Sequence, residues 1–128
     1  MERLGYRNDI ILNMEKRYSR KPEYLWKRYP GYAVFRHEDN QKWFAVIMDV
    51  RRSRLGLFGD DPVDIINVKV SDLMYRDFLL QQEGFLPGYH MSKGNWISVL
   101  LDGTVSLETI LTLIDTSFQA TASAQKKH

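Results

Sequence analysis

The chain has 128 residues, 44% hydrophobic and 12% aromatic, with a formal charge of +2, enough to bury about two thirds of its unfolded surface around one core. It has no cysteine, which excludes disulfides, thiolate metal sites and cysteine nucleophiles. No apolar run nears the roughly 20 residues that span a bilayer, and the opening Met-Glu-Arg-Leu-Gly has no signal-peptide core, so a cytoplasmic protein without a membrane partner is expected.

Charge is distributed unevenly. Residues 1–54 hold 13 Lys or Arg against 7 Asp or Glu, whereas residues 55–125 hold 3 against 9. A basic half can track phosphates, although solvated helices rich in Lys and Arg give the same count.

In chain order, Tyr6, Ile10, Met14 and Tyr18 recur every four residues, with Ile11 beside them, and predict an amphipathic helix of about three turns. Pro22, followed by Glu23, reads as the first turn of a second, short helix that Pro30-Gly31 ends, anchored by Leu25, Trp26 and Tyr29. Tyr32–His37 and Lys42–Val50 read as two strands of a hairpin about the polar turn Glu38–Gln41. On the second strand both alternating sets, Trp43/Ala45/Ile47 and Phe44/Val46/Met48, are apolar, as in a strand covered on both faces. Arg36 and Lys42 flank the turn.

Arg51-Arg52-Ser53-Arg54 then opens a loop through Gly56, Gly59 and Pro62. It is the densest positive cluster, suited to phosphate contact or simply to solvent, and no Gly-Lys-Ser/Thr follows to make a P-loop. A strand over Val63–Val70 leads to Ser71, an N-cap candidate for a helix that runs to about Gln82, buries Leu73, Met74, Phe78 and Leu79, and stops at Gly84. The next stretch, Pro87-Gly88-Tyr89-His90-Met91-Ser92-Lys93-Gly94-Asn95-Trp96, feeds a strand over Trp96–Leu101. A final helix capped by Ser106 carries the stripe Leu107, Ile110, Leu111, Ile114 and Phe118. Residues 1–118 are read as a single domain and residues 119–128 as a flexible C-terminal tail. This order, short strands flanked by helices, predicts an α+β fold: an antiparallel β-sheet with helices packed on one face.

No catalytic constellation is visible. The histidines have no metal-ligand spacing, and Asp60, Asp61 and Asp64 lack the closing Glu of a calcium loop. No catalytic residue, metal site or cofactor is therefore assigned. Tyr89, His90 and Trp96 are candidate pocket residues, more readily a hydrogen-bonded turn and a structural anchor than a catalytic base or a stacking platform.

The segment Lys42-Trp43-Phe44-Ala45-Val46-Ile47, the stretch Pro87–Val99, Leu101-Asp102-Gly103 and Ser117-Phe118 together resemble the MmcQ/YjbR family of bacterial proteins, from about residue 25 to residue 119. The resemblance implies a CyaY/frataxin-like fold and a double-wing DNA-binding role. On that reading double-stranded DNA is the partner, met non-specifically through Arg36, Lys42, Arg51, Arg52, Arg54 and Lys93, without catalysis. The alternatives are a protein-interaction or scaffold domain, and a small-ligand binder or enzyme centred on His90 and Lys93.

Overall fold

A computed structural model describes residues 5–91 and 94–123. Helix α1 (Arg7–Tyr18) is followed by strands β1 (Ala33–Arg36), β2 (Trp43–Arg51) and β3 (Pro62–Lys69). Helix α2 (Leu73–Leu80), strands β4 (Phe85–Pro87) and β5 (Trp96–Leu100), and helix α3 (Leu107–Thr121) complete the chain. The strands form one sheet in the order β1-β2-β3-β5-β4, antiparallel throughout. The expected α+β architecture is the one observed.

One sheet face meets the helices. Ile10 and Met14 of α1, Leu79 of α2, and Ile110, Leu113 and Ile114 of α3 pack on Phe35, Ala45, Ile47, Ile66, Val68, Ile97 and Val99. The opposite face, built on Val34, Val46, Met48, Ile65 and Leu100, is covered by loops that carry Trp26, Tyr32, Leu55, Leu57 and Tyr89. Both faces of β2 are thus buried, but its alternation differs from the simple period of two. Phe35 pairs with Ala45 and Arg36 with Trp43, a register shift that leaves Phe44 as the extra residue of a β-bulge. Past the bulge the sets are Phe44, Ala45 and Ile47 toward the helices, and Trp43, Val46 and Met48 toward the loops.

Five further expectations are corrected. Residues 22–29 form no helix; Glu23 pairs as an isolated bridge with Val34, its N–H and C=O both bonded to that residue at 2.9 Å. The arginine loop begins with β2 itself, which extends to Arg51, followed by a 3-10 turn over Arg52–Leu55. Helix α2 is capped by Asp72 rather than Ser71: the Asp72 carboxylate accepts from the N–H groups of Met74 and Tyr75. Of its apolar residues only Leu79 is buried, while Leu73, Met74 and Phe78 are 59%, 84% and 58% exposed. A helix of two turns at the sheet margin presents one stripe to the core, and here that stripe is narrow. Gly84, at φ 96°, turns the chain into β4, where a Cβ would strike the Val105 side chain. Helix α3 passes Phe118 and ends at Thr121, with Thr121 and Ala122 buried, so these residues belong to the packed fold and not to the expected tail; residues 124–128 lie outside the described residues.

Candidate functional site

The loop-covered face holds a cavity of about 270 Å³ lined by Trp26, Tyr29, Tyr32, Trp43, Val46, Met48, His90 and Met91. Each wall has a distinct origin in the chain. Trp43, Val46 and Met48 come from β2, and Trp43 faces the cavity only because the bulge changes the strand's phase.

Tyr32 comes from the position read from sequence as the start of the first strand, which lies outside β1, and Trp26 and Tyr29 from the segment read as a helix. Two turns hold it, with Tyr29 N–H bonded to Trp26 C=O and Tyr32 N–H to Tyr29 C=O. Trp26 meets Tyr32 and Trp43 edge to face, each pair with ring centroids 5.9 Å apart, while Tyr29 stacks on Tyr32 at 4.8 Å. Arg7 of α1 fastens the far end of the segment. Its guanidinium donates to the Gly31 carbonyl at 2.7 Å and to both Asp64 carboxylate oxygens at 2.8 and 3.1 Å.

His90 and Met91 come from the loop after β4, which hangs on a buried polar relay. Ser98 donates to the Asn67 side-chain oxygen and accepts from Tyr89 N–H, and the Asn67 amide donates to the Tyr89 carbonyl at 2.9 Å. Asn67 and Ser98 are both fully buried, and this closed set of partners is what makes burial tolerable. His90 adopts φ 58° and packs against the Tyr89 ring at 4.1 Å.

Of the three residues expected to form a pocket, His90 therefore lines the cavity directly and Tyr89 braces it from behind. Trp96 is buried and is not among the lining residues; its main chain abuts Gly88, where a Cβ would lie 2.9 Å from the Trp96 carbonyl oxygen.

A shallower depression adjoins the cavity, lined by Tyr29, Tyr32, Asp49, Val50, Arg51, Arg54 and Tyr89. Burial, together with Tyr89 and Asp49, raises the Tyr32 phenol above its ordinary value, and Arg54 opposes that shift.

The expected phosphate-binding cations fall at two ends of the sheet. Arg36 and Lys42 flank the β1–β2 turn; Arg51 ends the nine-residue strand β2, roughly 26 Å away, and Arg52 and Arg54 follow it. Three of them are engaged by the chain's own carboxylates. Arg36 forms a two-pronged pair with Glu23 at 2.7 and 3.0 Å, Arg51 bonds Asp60 at 2.8 Å, and Arg52 reaches Asp102 at 3.4 Å. Asp60 also accepts from Ser53, and that bond, with Arg51 alongside, holds its carboxyl below the usual range. Among the described residues, Lys16, Lys27, Arg28, Lys42, Arg54 and Lys69 have no described carboxylate oxygen within 4.0 Å. Lys93 lies outside the described residues.

Sequence reasoning missed the cavity because its aromatics come from three separate segments. The available signal was the spacing of Trp26, Tyr29 and Tyr32 around Pro30-Gly31, which a helix assignment for the first two and a strand assignment for the third divided. Among the described residues no group of three or more His, Asp or Glu could hold a metal ion, and no helix is long and apolar enough to cross a membrane.

The YjbR family model matches residues 18–120. The uncharacterized protein YyaQ of Bacillus subtilis (strain 168) is 42% identical over 115 residues, 90% of this chain and 97% of that protein. A crystal structure of a Pseudomonas syringae protein superposes with a TM-score of 0.86 at 42% identity, over 91% of this chain and 98% of that one. A solution NMR structure from Pseudomonas syringae gives 0.82 at 41%, over 95% and 97%. A Deinococcus radiodurans protein with a DUF419 domain shares the fold at 19% identity, with a TM-score of 0.70 over 95% of this chain and 82% of that one.

Proposed function

From the premise that the chain belongs to the YjbR family, we propose that it is a cytoplasmic, non-catalytic DNA-binding protein that meets phosphates weakly and without sequence preference. The observation that carries this reading is the placement of Arg51 and Arg54 in one depression with Tyr29 and Tyr32 on the helix-free face. Cations set beside exposed ring systems suit a polyanion whose backbone and bases alternate. The Arg51 pair with Asp60 is 62% and 67% exposed; such a pair is worth little in water and yields readily to a phosphate. Arg36, less exposed and doubly bonded to Glu23, is assigned to the fold instead. Lys42 and Lys93 complete the set of proposed contacts as secondary members.

Duplex binding measured at several salt concentrations tests this. Affinity should fall with a log–log slope of about −0.9 per contacted phosphate, and replacing Arg51 and Arg54 together by Ala should flatten that slope by about two. Arg36→Ala should leave the slope unchanged. No binding at about 50 mM salt, or a double variant that binds as the parent does, sinks the reading and leaves a protein-interaction domain in its place.

A further inference from the structure

We propose that the aromatic cavity takes one unpaired nucleobase of single-stranded DNA, an inference that rests on the phosphate-contact reading above. The cavity's volume, about 270 Å³, lies just below the roughly 300 Å³ where small-molecule pockets begin. It has room for one flat ring system and not for a whole nucleotide. Its walls are ring faces in crossed planes, because Trp26 stands at 78° to Tyr32 and at 83° to Trp43. Its floor, Val46 and Met48, is apolar and buried.

Among the described residues no Lys, Arg, Asp or Glu side chain lines the cavity, so its rings suit a neutral, planar, polarisable group. His90, exposed at the rim, supplies ring nitrogens for the polar edge of such a group. Beyond Tyr29 and Tyr32, which line both hollows, lie Arg51 and Arg54. A base seated among the rings therefore leaves its phosphate directed toward two cations. Asp49 shares the depression and opposes them singly. In a duplex both base faces are stacked and the pairing edge is covered, so a paired base cannot enter, and the cavity separates single strands from double ones.

Trp26 and Trp43 are two of the three tryptophans, so stacking in the cavity quenches intrinsic fluorescence directly. The probes are an oligothymidylate of about ten nucleotides and the same strand annealed to its complement, at equal salt. The single strand should bind about tenfold more tightly than the duplex, with quenching, since one base–aromatic stack is worth about that much. Tyr29→Ala should abolish the preference, bringing the two affinities together, while Tyr29→Phe should retain it. Tyr29 is 50% exposed, so its truncation does not threaten folding.

Equal affinities for both forms, with Tyr29→Ala silent, overturn the proposal and leave the DNA reading standing. Failure of both forms to bind removes both. Quenching by a Phe-containing tripeptide and not by the oligomer overturns it in favour of a protein partner.

Discussion

Arg7 connects three parts of the molecule through one guanidinium: α1, which carries it; β3, through Asp64; and the aromatic segment, through the Gly31 carbonyl. Its side chain is 23% exposed and that of Asp64 26%, so these hydrogen bonds are only partly screened by water. Each such bond to a charged group contributes about 1.5–3 kcal/mol when its partner would otherwise be left unsatisfied. Arg7→Ala should therefore lower stability by about 2 kcal/mol in denaturant melts and also loosen the aromatic wall, seen as faster amide exchange at Tyr29 and Tyr32. Asp64→Asn should reproduce part of the stability loss. A change under about 0.5 kcal/mol for Arg7→Ala, the range of an ordinary surface substitution, would show that the clamp is idle. Nothing in the sequence distinguishes Arg7 from Lys16 or Arg17, because its partners lie 24 and 57 positions away.

At the scale of elements, the last turn of α3 carries more than its composition suggests. Thr121 Oγ1 lies 2.8 Å from His37 Nε2, the Thr121 carbonyl accepts from the Asn40 amide, and Ser123 donates to Asp39. The β1–β2 turn is thus fastened to the end of α3 and the residues just after it. Removing residues 120–128 should cost about 1–3 kcal/mol, the range for leaving a buried polar partner unmatched, and lower the melting temperature by several degrees. An unchanged melt would mean that the turn holds itself. Periodicity made α1 and α3 legible, since a stripe at helical spacing marks the side that a helix buries. It failed for α2, where Leu73, Met74 and Phe78 have the right spacing but the sheet margin offers too little surface to cover them. Boundary signals failed for residues 22–29, where Pro22, Glu23 and Pro30-Gly31 frame a helix while the backbone is tied to Val34 and bent by turns. The candidate site was legible only at His90 and the arginines; its aromatic walls depend on long-range packing that no local pattern encodes.

For the molecule as a whole, α1 and α3 are locked side by side on the sheet by Asp115. Arg17 donates to both of its carboxylate oxygens, at 2.9 and 2.7 Å, and Tyr18 donates as well. The Arg17 hydrogen bonds, helped by Tyr18, hold the Asp115 carboxyl below its usual range. A carboxyl whose native pKa is depressed stabilises the fold fully above its unfolded value, about 3.9, and loses that contribution as pH falls through the native value. Asp115→Asn should therefore lower the melting temperature at pH 6 to 7, and the gap from the parent should close as pH drops below about 4. A gap that stays constant across that window would assign the loss to packing rather than to charge. Glu23, lowered by its hydrogen bonds from Arg36, acts in the same direction, as do Asp60 and Asp102, so the acid limb of the stability curve has several sources.

The bulge at Phe44 makes β2 a sentence read in two frames. Before it, the odd position Trp43 faces the aromatic cavity; after it, the odd positions Ala45 and Ile47 face the helices. One residue of excess length therefore lets two neighbours, Phe44 and Ala45, both face the helices while Trp43 and Val46 on either side of them face the loops. Deleting Phe44 would restore a regular ladder in which Trp43, now next to Ala45, keeps its place on the cavity wall. The excess residue thus serves the opposite side of the sheet, where the Phe44 ring meets Tyr18, His37 and Phe118, and its removal would empty part of the helical core while sparing the cavity.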